Sequence, residues 1–212
     1  MDLWDQLVVP PPEAERFYGI VTGIVTNNQD PDKLGRVKVR FPALSDKDES
    51  YWARVVTPMA GASRGLYLLP EVNDEVLVAF EHGMVEFPYI LGALWNGKDK
   101  PPESNSDGKN NRRTFKSRSG HIISLDDNEK DAKIEIKDGS GKNRIVVSTA
   151  DNAIYIMADG DLTIKSQNGK LILGGQGIEI KSQAEVKIEA TKNMDLKAGP
   201  QLNIKGQVVN IN

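Results

Sequence analysis

Apolar and polar residues alternate along this chain in two different rhythms. Between residues 17 and 97, stretches at 18–26, 36–41, 51–56, 75–80 and 89–94 are apolar or alternate with period two. Turn signals separate them: Asn27-Asn28, Asp30-Pro31-Asp32, Gly61, Asn73-Asp74 and His82-Gly83. Period two puts successive side chains on opposite faces of a strand. Five short strands in about 80 residues suit a small barrel of the OB type. From residue 112 onward a different unit recurs, an apolar residue, any residue, then a second apolar residue. Such units open at Ile134, Ile145, Ile154, Leu162, Leu171, Ile178, Val186, Met194, Leu202 and Val209. From Ile145 these first members are spaced 9, 8, 9, 7, 8, 8, 8 and 7 residues apart. The flanks are Lys, Glu, Asp, Gln, Asn or Gly, and glycines recur near the corners.

An eight-residue repeat supplies one strand of about five residues and one corner. Two inward apolar side chains per octad cannot enclose a core within one chain, whereas a single-chain β-helix needs about 20 or more residues per coil. Three octads could complete such a coil, but its period would then lie near 24 with dissimilar faces. Alike octads suit threefold equivalence. Three chains wrapped about one axis would each supply one strand per face. The shared interior would be filled by Ile145, Val147, Ile154, Ile156, Leu162, Ile164, Leu171, Leu173, Ile178, Ile180, Val186, Ile188, Met194, Leu196, Leu202, Ile204, Val209 and Ile211. At about 4.8 Å per octad the rod would be roughly 40–45 Å long. The competing readings are a flat β-meander and a single-chain solenoid. The fold class expected is all-β: an N-terminal OB barrel over residues 17–97, then a triple-stranded intertwined β-helix over 112–212.

Two segments lie outside these rhythms. Residues 1–16 read as an arm, because Pro10-Pro11-Pro12 forces an extended course, while Trp4, Leu7 and Val8 could dock on a partner. Residues 98–111 read as an extended or flexible linker of Pro, Ser, Asn, Asp, Gly, Glu and Lys.

Composition narrows the function. The chain has 212 residues, one to two domains' worth, and a net charge of −3, which gives no general attraction for nucleic acid or anionic membrane. It has no cysteine, so disulfides, thiolate chemistry and cysteine metal sites are excluded. No stretch approaches the ~20 apolar residues that span a bilayer, and the acidic start Met1-Asp2-Leu3-Trp4-Asp5 is unlike a signal peptide. Folding in the cytoplasm is the expectation, from which the protein could still leave the cell as part of a particle.

Specific motifs add a resemblance. Residues 18–28, which begin Tyr18-Gly19-Ile20-Val21-Thr22-Gly23, and Asp30-Pro31-Asp32-Lys33-Leu34-Gly35-Arg36-Val37 resemble the OB domain of phage baseplate assembly protein V and the VgrG spike proteins. So do Trp52-Ala53-Arg54-Val55-Val56-Thr57-Pro58, Leu69-Pro70-Glu71-Val72-Asn73-Asp74-Glu75-Val76 and Pro88-Tyr89-Ile90-Leu91-Gly92. Thr114-Phe115-Lys116-Ser117-Arg118-Ser119-Gly120-His121 resembles the entry into the needle of that family. The resemblance runs over nearly the whole chain from residue 18. It implies a homotrimeric central spike at the tip of a contractile tail or type VI tube, which touches the target membrane only on puncture. It also implies a separate hub protein, with Trp4, Leu7 and Val8 as contact candidates, and a PAAR-type tip protein on Val209, Ile211 and Asn212. Some relatives carry a lysozyme domain, for which residues 98–111 leave no room. Others end in a His-x-His iron site, which the two histidines, His82 and His121, cannot form.

No catalytic residue, metal site or cofactor is expected. Asp74 with Glu75, or Asp126 with Asp127, could suggest a glycosidase pair but read as turn and surface residues. His82 reads as a turn residue and His121 as the start of a strand. Gly174-Gly175-Gln176-Gly177 occurs once, lacks the aspartate of a calcium-binding turn and reads as a corner insertion. One alternative is an OB-fold protein that binds single-stranded nucleic acid. It would need a basic, aromatic groove, yet residues 18–98 carry eight Lys/Arg against ten Asp/Glu. Arg36, Lys38 and Arg40, alternating on one strand, are its one suggestive feature. The other alternative, a β-helical enzyme acting on polysaccharide, would need a charged cluster along one face, and the outward residues are of mixed sign.

Overall fold

The structure is a computed structural model that describes residues 16–43 and 45–211, with the backbone alone for residues 45–48. The chain divides into two units, one ending at Gly160 and one beginning at Asp161. Among the described residues no helix is long and apolar enough to cross a membrane.

The first unit opens with a six-stranded sheet. Its strands are β1 (Val21–Asn27), β2 (Lys38–Phe41), β3 (Ser45–Glu49), β4 (Arg54–Val55), β7 (Glu75–Phe80) and β8 (Pro88–Ala93), in the order β3-β2-β1-β7-β8-β4. All neighbours are antiparallel except β4 and β8. An isolated bridge between Val37 and Ala53, with N–H···O distances of 3.0 and 2.7 Å, ties the start of β2 to the approach of β4 and curls the sheet on itself. A two-stranded hairpin, β5 (Ala60–Gly61) with β6 (Arg64–Gly65), stands apart from it.

Period two explains the barrel core. Val76, Val78 and Phe80 alternate inward along β7, Val21 and Val25 along β1, and Val39 on β2. With Val37, Ala53 and Ile90 they form one buried cluster. The β-branched side chains fit a pleated surface with little rotamer freedom to lose. Phe17 meets Phe80 edge-on at 5.6 Å between ring centroids and helps cover one end. Gly23 lets β1 and β2 approach closely, because a Cβ there would stand 3.2 Å from Val39 Cβ.

The loop between β1 and β2 is tied by one carboxylate. Asp30 accepts hydrogen bonds from the backbone N–H groups of Asp32, Leu34 and Arg36 and from Arg36 Nε (2.9 Å) and Nη2 (2.7 Å). Its side chain is 2% exposed. The Arg36 guanidinium, first of all, holds the Asp30 carboxyl well below the usual carboxylate range. Glu49 is lowered by the Thr26 hydroxyl and then by Lys38. A lowered carboxylate stabilises the fold above its unfolded pKa of about 3.9 to 4.3, and that contribution is lost as pH falls through the folded value. Asp30→Asn is therefore expected to melt a few degrees lower at neutral pH and to show a flatter loss of stability below about pH 4. Thermal melts followed by circular dichroism across that range check both.

Residues 112–157 form a second sheet, a meander of β9 (Arg112–Lys116), β10 (Ile122–Asp126), β11 (Lys133–Lys137), β12 (Arg144–Ser148) and β13 (Ala153–Met157). Every neighbouring pair is antiparallel and consecutive in sequence. The series of apolar units read from the sequence thus divides in two. Up to the unit of Ile154 and Ile156, consecutive units pair within one chain as a meander. From Leu162 onward the second unit has no strand and, among the described residues, no backbone–backbone hydrogen bond. The segment expected as a plain linker is locally tied: Gly108 N–H donates to the Asn105 carbonyl, Asn110 N–H to Asn105 Oδ1, and the Thr114 hydroxyl to Glu103.

Candidate functional site

The meander has one apolar face. The registers place Phe115, Ile123, Ile136, Ile145 and Ile156 in one row across the five strands. Leu125, Ile134, Val147 and Ile154 form a second row, completed on β9 by Arg113. All nine apolar side chains are exposed; Ile123 is 48% and Ile136 47% accessible. The opposite face carries Thr114, Ser124, Glu135, Val146 and Tyr155 in one row, and there Ser124 is 2% and Glu135 8% accessible. Burial is inverted at the centre of the sheet, although Tyr155 at the edge of the polar row is 43% exposed. A sheet with one solvated face normally turns its apolar side to a core. Completing the burial of each of these half-exposed side chains would contribute about 1 kcal/mol.

The second unit carries the same signature without a sheet. Its seven apolar pairs are Leu162 with Ile164, Leu171 with Leu173, Ile178 with Ile180, Val186 with Ile188, Met194 with Leu196, Leu202 with Ile204, and Val209 with Ile211. Every one of these side chains is exposed, from Met194 at 47% to Ile211 at 87%. Within residues 161–211, among the described residues, no backbone group bonds another backbone group and the apolar pairs stay exposed.

The side chains expected in a buried interior are thus on the surface of the single chain, and they fall into two groups. Ile145, Val147, Ile154 and Ile156 share the meander face, on antiparallel strands. Leu162, Ile164, Leu171, Leu173, Ile178, Ile180, Val186, Ile188, Met194, Leu196, Leu202, Ile204, Val209 and Ile211 belong to the open segment. The physical reason is the one the octad imposes: two apolar side chains per eight residues cannot close a core inside one copy. Of the tip residues, Val209 and Ile211 are exposed, and Asn212 lies outside the described residues; so do Trp4, Leu7 and Val8 of the arm.

The residues weighed for chemistry are engaged in structure. Asp74 accepts from Glu71 N–H and closes a turn, and Glu75 accepts from Asn96 Nδ2 at 2.8 Å. Asp126 faces Arg112 at 3.5 Å, and Asp127 pairs with Arg113. His82 adopts a left-handed turn conformation, with φ of 49°, beside Gly83. His121 precedes β10, and its Nδ1 accepts the Gly139 N–H at 3.1 Å. Asp138 beside it is lowered, first by the Ser140 hydroxyl and then by Asn143. Two of the three basic residues on this stretch are neutralised from within: Arg36 pairs with Asp30 and Asp32, and Lys38 with Glu49 at 2.9 Å. Arg36 and Lys38 also lie over the Trp52 ring, at 5.9 and 5.5 Å from its centroid. Arg54 covers the Tyr89 ring, whose hydroxyl donates to Glu81 at 2.6 Å. That hydrogen bond pushes the Tyr89 hydroxyl up.

Sequence reasoning missed one surface. Around the β5–β6 hairpin, Met59, Leu66, Tyr67 and Leu68 are all exposed. The signal was the run Gly65-Leu66-Tyr67-Leu68-Leu69-Pro70, apolar without alternation.

Comparison with known proteins bears on the barrel. The family model for the type VI secretion system/phage-baseplate injector OB domain matches residues 21–95. The type VI secretion system spike protein VgrG2a of Pseudomonas aeruginosa is 33% identical over 82 residues, 37% of this chain and 10% of that protein. VgrG4b of the same organism is 31% identical over 109 residues, 47% of this chain and 14% of that protein. VgrG1a is 35% identical over 75 residues, 34% of this chain and 12% of that protein. The chain thus spans roughly a tenth of the length of these relatives. Over residues 21–95 the chain is thus similar to the injector OB domain, and over that part of its length it resembles the VgrG spike proteins.

Proposed function

We propose that this protein is the central spike of a contractile tail or injection machine, in which three copies close a common apolar interior and form a needle that punctures the target envelope. One observation carries the reading: the nine apolar side chains of the meander face and the seven apolar pairs beyond it are exposed in the single chain, among the described residues. A lone copy would expose strand edges and apolar rows that invite uncontrolled association. Three copies related by one axis would cover both at once and leave mixed charge outside.

Mechanically, the barrel would couple the needle to the tube, and interchain ladders would make the needle stiff and slow to unfold. A hub protein on the barrel side, with Trp4, Leu7 and Val8 as contact candidates, belongs to the same proposal. So does a PAAR-type tip protein against Val209, Ile211 and Asn212. Both rest on the family resemblance. The role needs no catalytic group, and the pairs Asp74 with Glu75 and Asp126 with Asp127, occupied with turns and arginines, favour none.

Solution mass tests the proposal directly. Three chains of 23.3 kDa, 3 × 23.3, give about 70 kDa by light scattering. A well-ordered 23.3 kDa species at micromolar concentration would reject it.

A further inference from the structure

We propose that Pro10-Pro11-Pro12 of the N-terminal arm docks in an aromatic groove on the barrel of its own copy, the groove lined by Tyr51, Trp52, Phe87 and Tyr89. The inference concerns the barrel and its arm, and it does not depend on how many copies assemble.

The groove holds about 670 Å³. Tyr51 and Phe87 are exposed, and Trp52 and Tyr89 are half-buried beside them. Its walls are already fixed. Arg36 and Lys38 lie over the Trp52 ring, Arg54 lies over the Tyr89 ring, and the Tyr89 hydroxyl donates to Glu81. The backbone of Phe87 donates to the Met84 carbonyl and accepts from the Glu81 N–H, each at 3.0 Å. A groove set in advance loses little entropy when a segment enters it.

The rings select the occupant. Proline-rich segments hold the polyproline II conformation before they bind, and they dock in aromatic-lined grooves. Residues 10–12 are the longest run of prolines in the chain. Charge argues against a polyanion in the same place. Arg36 and Arg54 along the groove are matched by Glu81 and Glu86, whereas single-stranded nucleic acid needs a basic groove. Arg54 is exposed, and Glu13 directly follows the prolines, so the charges that do meet are opposite in sign.

Connectivity delivers the segment to this groove. Residues 10–12 lie outside the described residues, but the point from which they are tethered does not. Arg16 pairs with Met84 in an antiparallel bridge, and the Phe17 N–H donates to the Gly83 carbonyl at 2.8 Å. Met84 and Phe87 close a turn, which keeps their Cα atoms within about 7 Å of each other. Pro12 stands four residues before Arg16, a reach of at most about 14 Å. Three prolines in polyproline II span about 9 Å. A segment on so short a tether is present at an effective concentration on the order of millimolar. Ring contacts too weak to capture a free peptide suffice at that concentration. Pinned at its prolines, the arm would present Trp4, Leu7 and Val8 from a fixed point, and a partner that takes them would have fewer residues left to order.

Trp52 reports on the groove. The chain has three tryptophans, so Trp4→Phe with Trp95→Phe leaves Trp52 as the sole tryptophan of the full chain. In that background, Pro10→Ser, Pro11→Ser and Pro12→Ser together are expected to raise acrylamide quenching of Trp52 about threefold. Leu7→Ser with Val8→Ser should leave quenching as in the parent. None of the substituted residues belongs to the barrel core. A proline variant quenched like the parent overturns the proposal, because the groove is then bare or covered by something else. A parent whose quenching rises on dilution from micromolar to nanomolar overturns it too, since a second copy is then the cover. So does a Leu7 and Val8 variant that exposes Trp52 as fully as the proline variant, since the apolar residues are then what holds the arm. None of these failures touches the trimeric reading, which the solution mass tests separately.

Discussion

Ile180→Asp is expected to abolish the 70 kDa species and leave a folded barrel on an unassembled chain. Ile180 is 66% exposed in the single chain, so the substitution costs a lone copy little. In the proposed trimer three carboxylates would converge on the axis in a dry interior. Burying unpaired charge is costly enough that such groups neutralise instead, with pKa values pushed up. The sign follows: the trimer would be lost at pH 7 and partly recovered as pH falls below about 5, where the carboxylates take up protons. Light scattering across that range reads the effect, and Ile180→Val, which keeps the interior apolar, should remain trimeric. A stable trimer of the aspartate variant at pH 7 would remove Ile180 from the interior.

Ile90→Ala should behave in the opposite way, with a lower melting temperature and an unchanged mass. Ile90 is fully buried in the barrel, stands opposite Val78 on β7 and pairs with Val55 on β4. Truncation leaves a cavity among stiff β-branched neighbours that cannot collapse into it, at a cost of about 2–5 kcal/mol. For a domain of this size that lowers the melting temperature by about 10 °C or more. Because Ile90 lies in the barrel core and contributes nothing to the meander face or to residues 161–211, assembly should persist below the melt. A barrel that melts unchanged would place the main stabilising contacts elsewhere.

Particular residues show what the sequence could and could not reveal. The barrel strands were legible where apolar residues alternate, as at Val76, Val78 and Phe80. β3, Ser45–Glu49, was not, because SDKDE carries no apolar residue and joins the sheet edge through its backbone. The β5–β6 hairpin was too short for any period to register. In the meander, Ile134 and Ile136 announced a strand with one apolar face, as did the pairs on β12 and β13. Period two assigns faces but does not say which face is covered, nor whether a neighbour runs parallel or antiparallel. The antiparallel pairing of residues 112–157 within one chain, set by tight turns such as that at Asp138–Asn143, was therefore not legible. The Asp30 knot was visible as a turn signal but not as a carboxylate serving five donors. The absence of nucleophile and metal motifs directed attention to surfaces, and the meander face is where the candidate site lies.

The open segment after Gly160 ties biogenesis to local abundance. On the trimeric reading, the barrel and meander can fold in one molecule, at a rate independent of protein concentration. The remainder must wait for an encounter among copies. Refolding should then show an early phase indifferent to dilution and a late phase that slows steeply with it. In the cell, the timing of assembly would be governed by local synthesis: ribosomes clustered on one message would deliver partners faster than free diffusion from scattered ones.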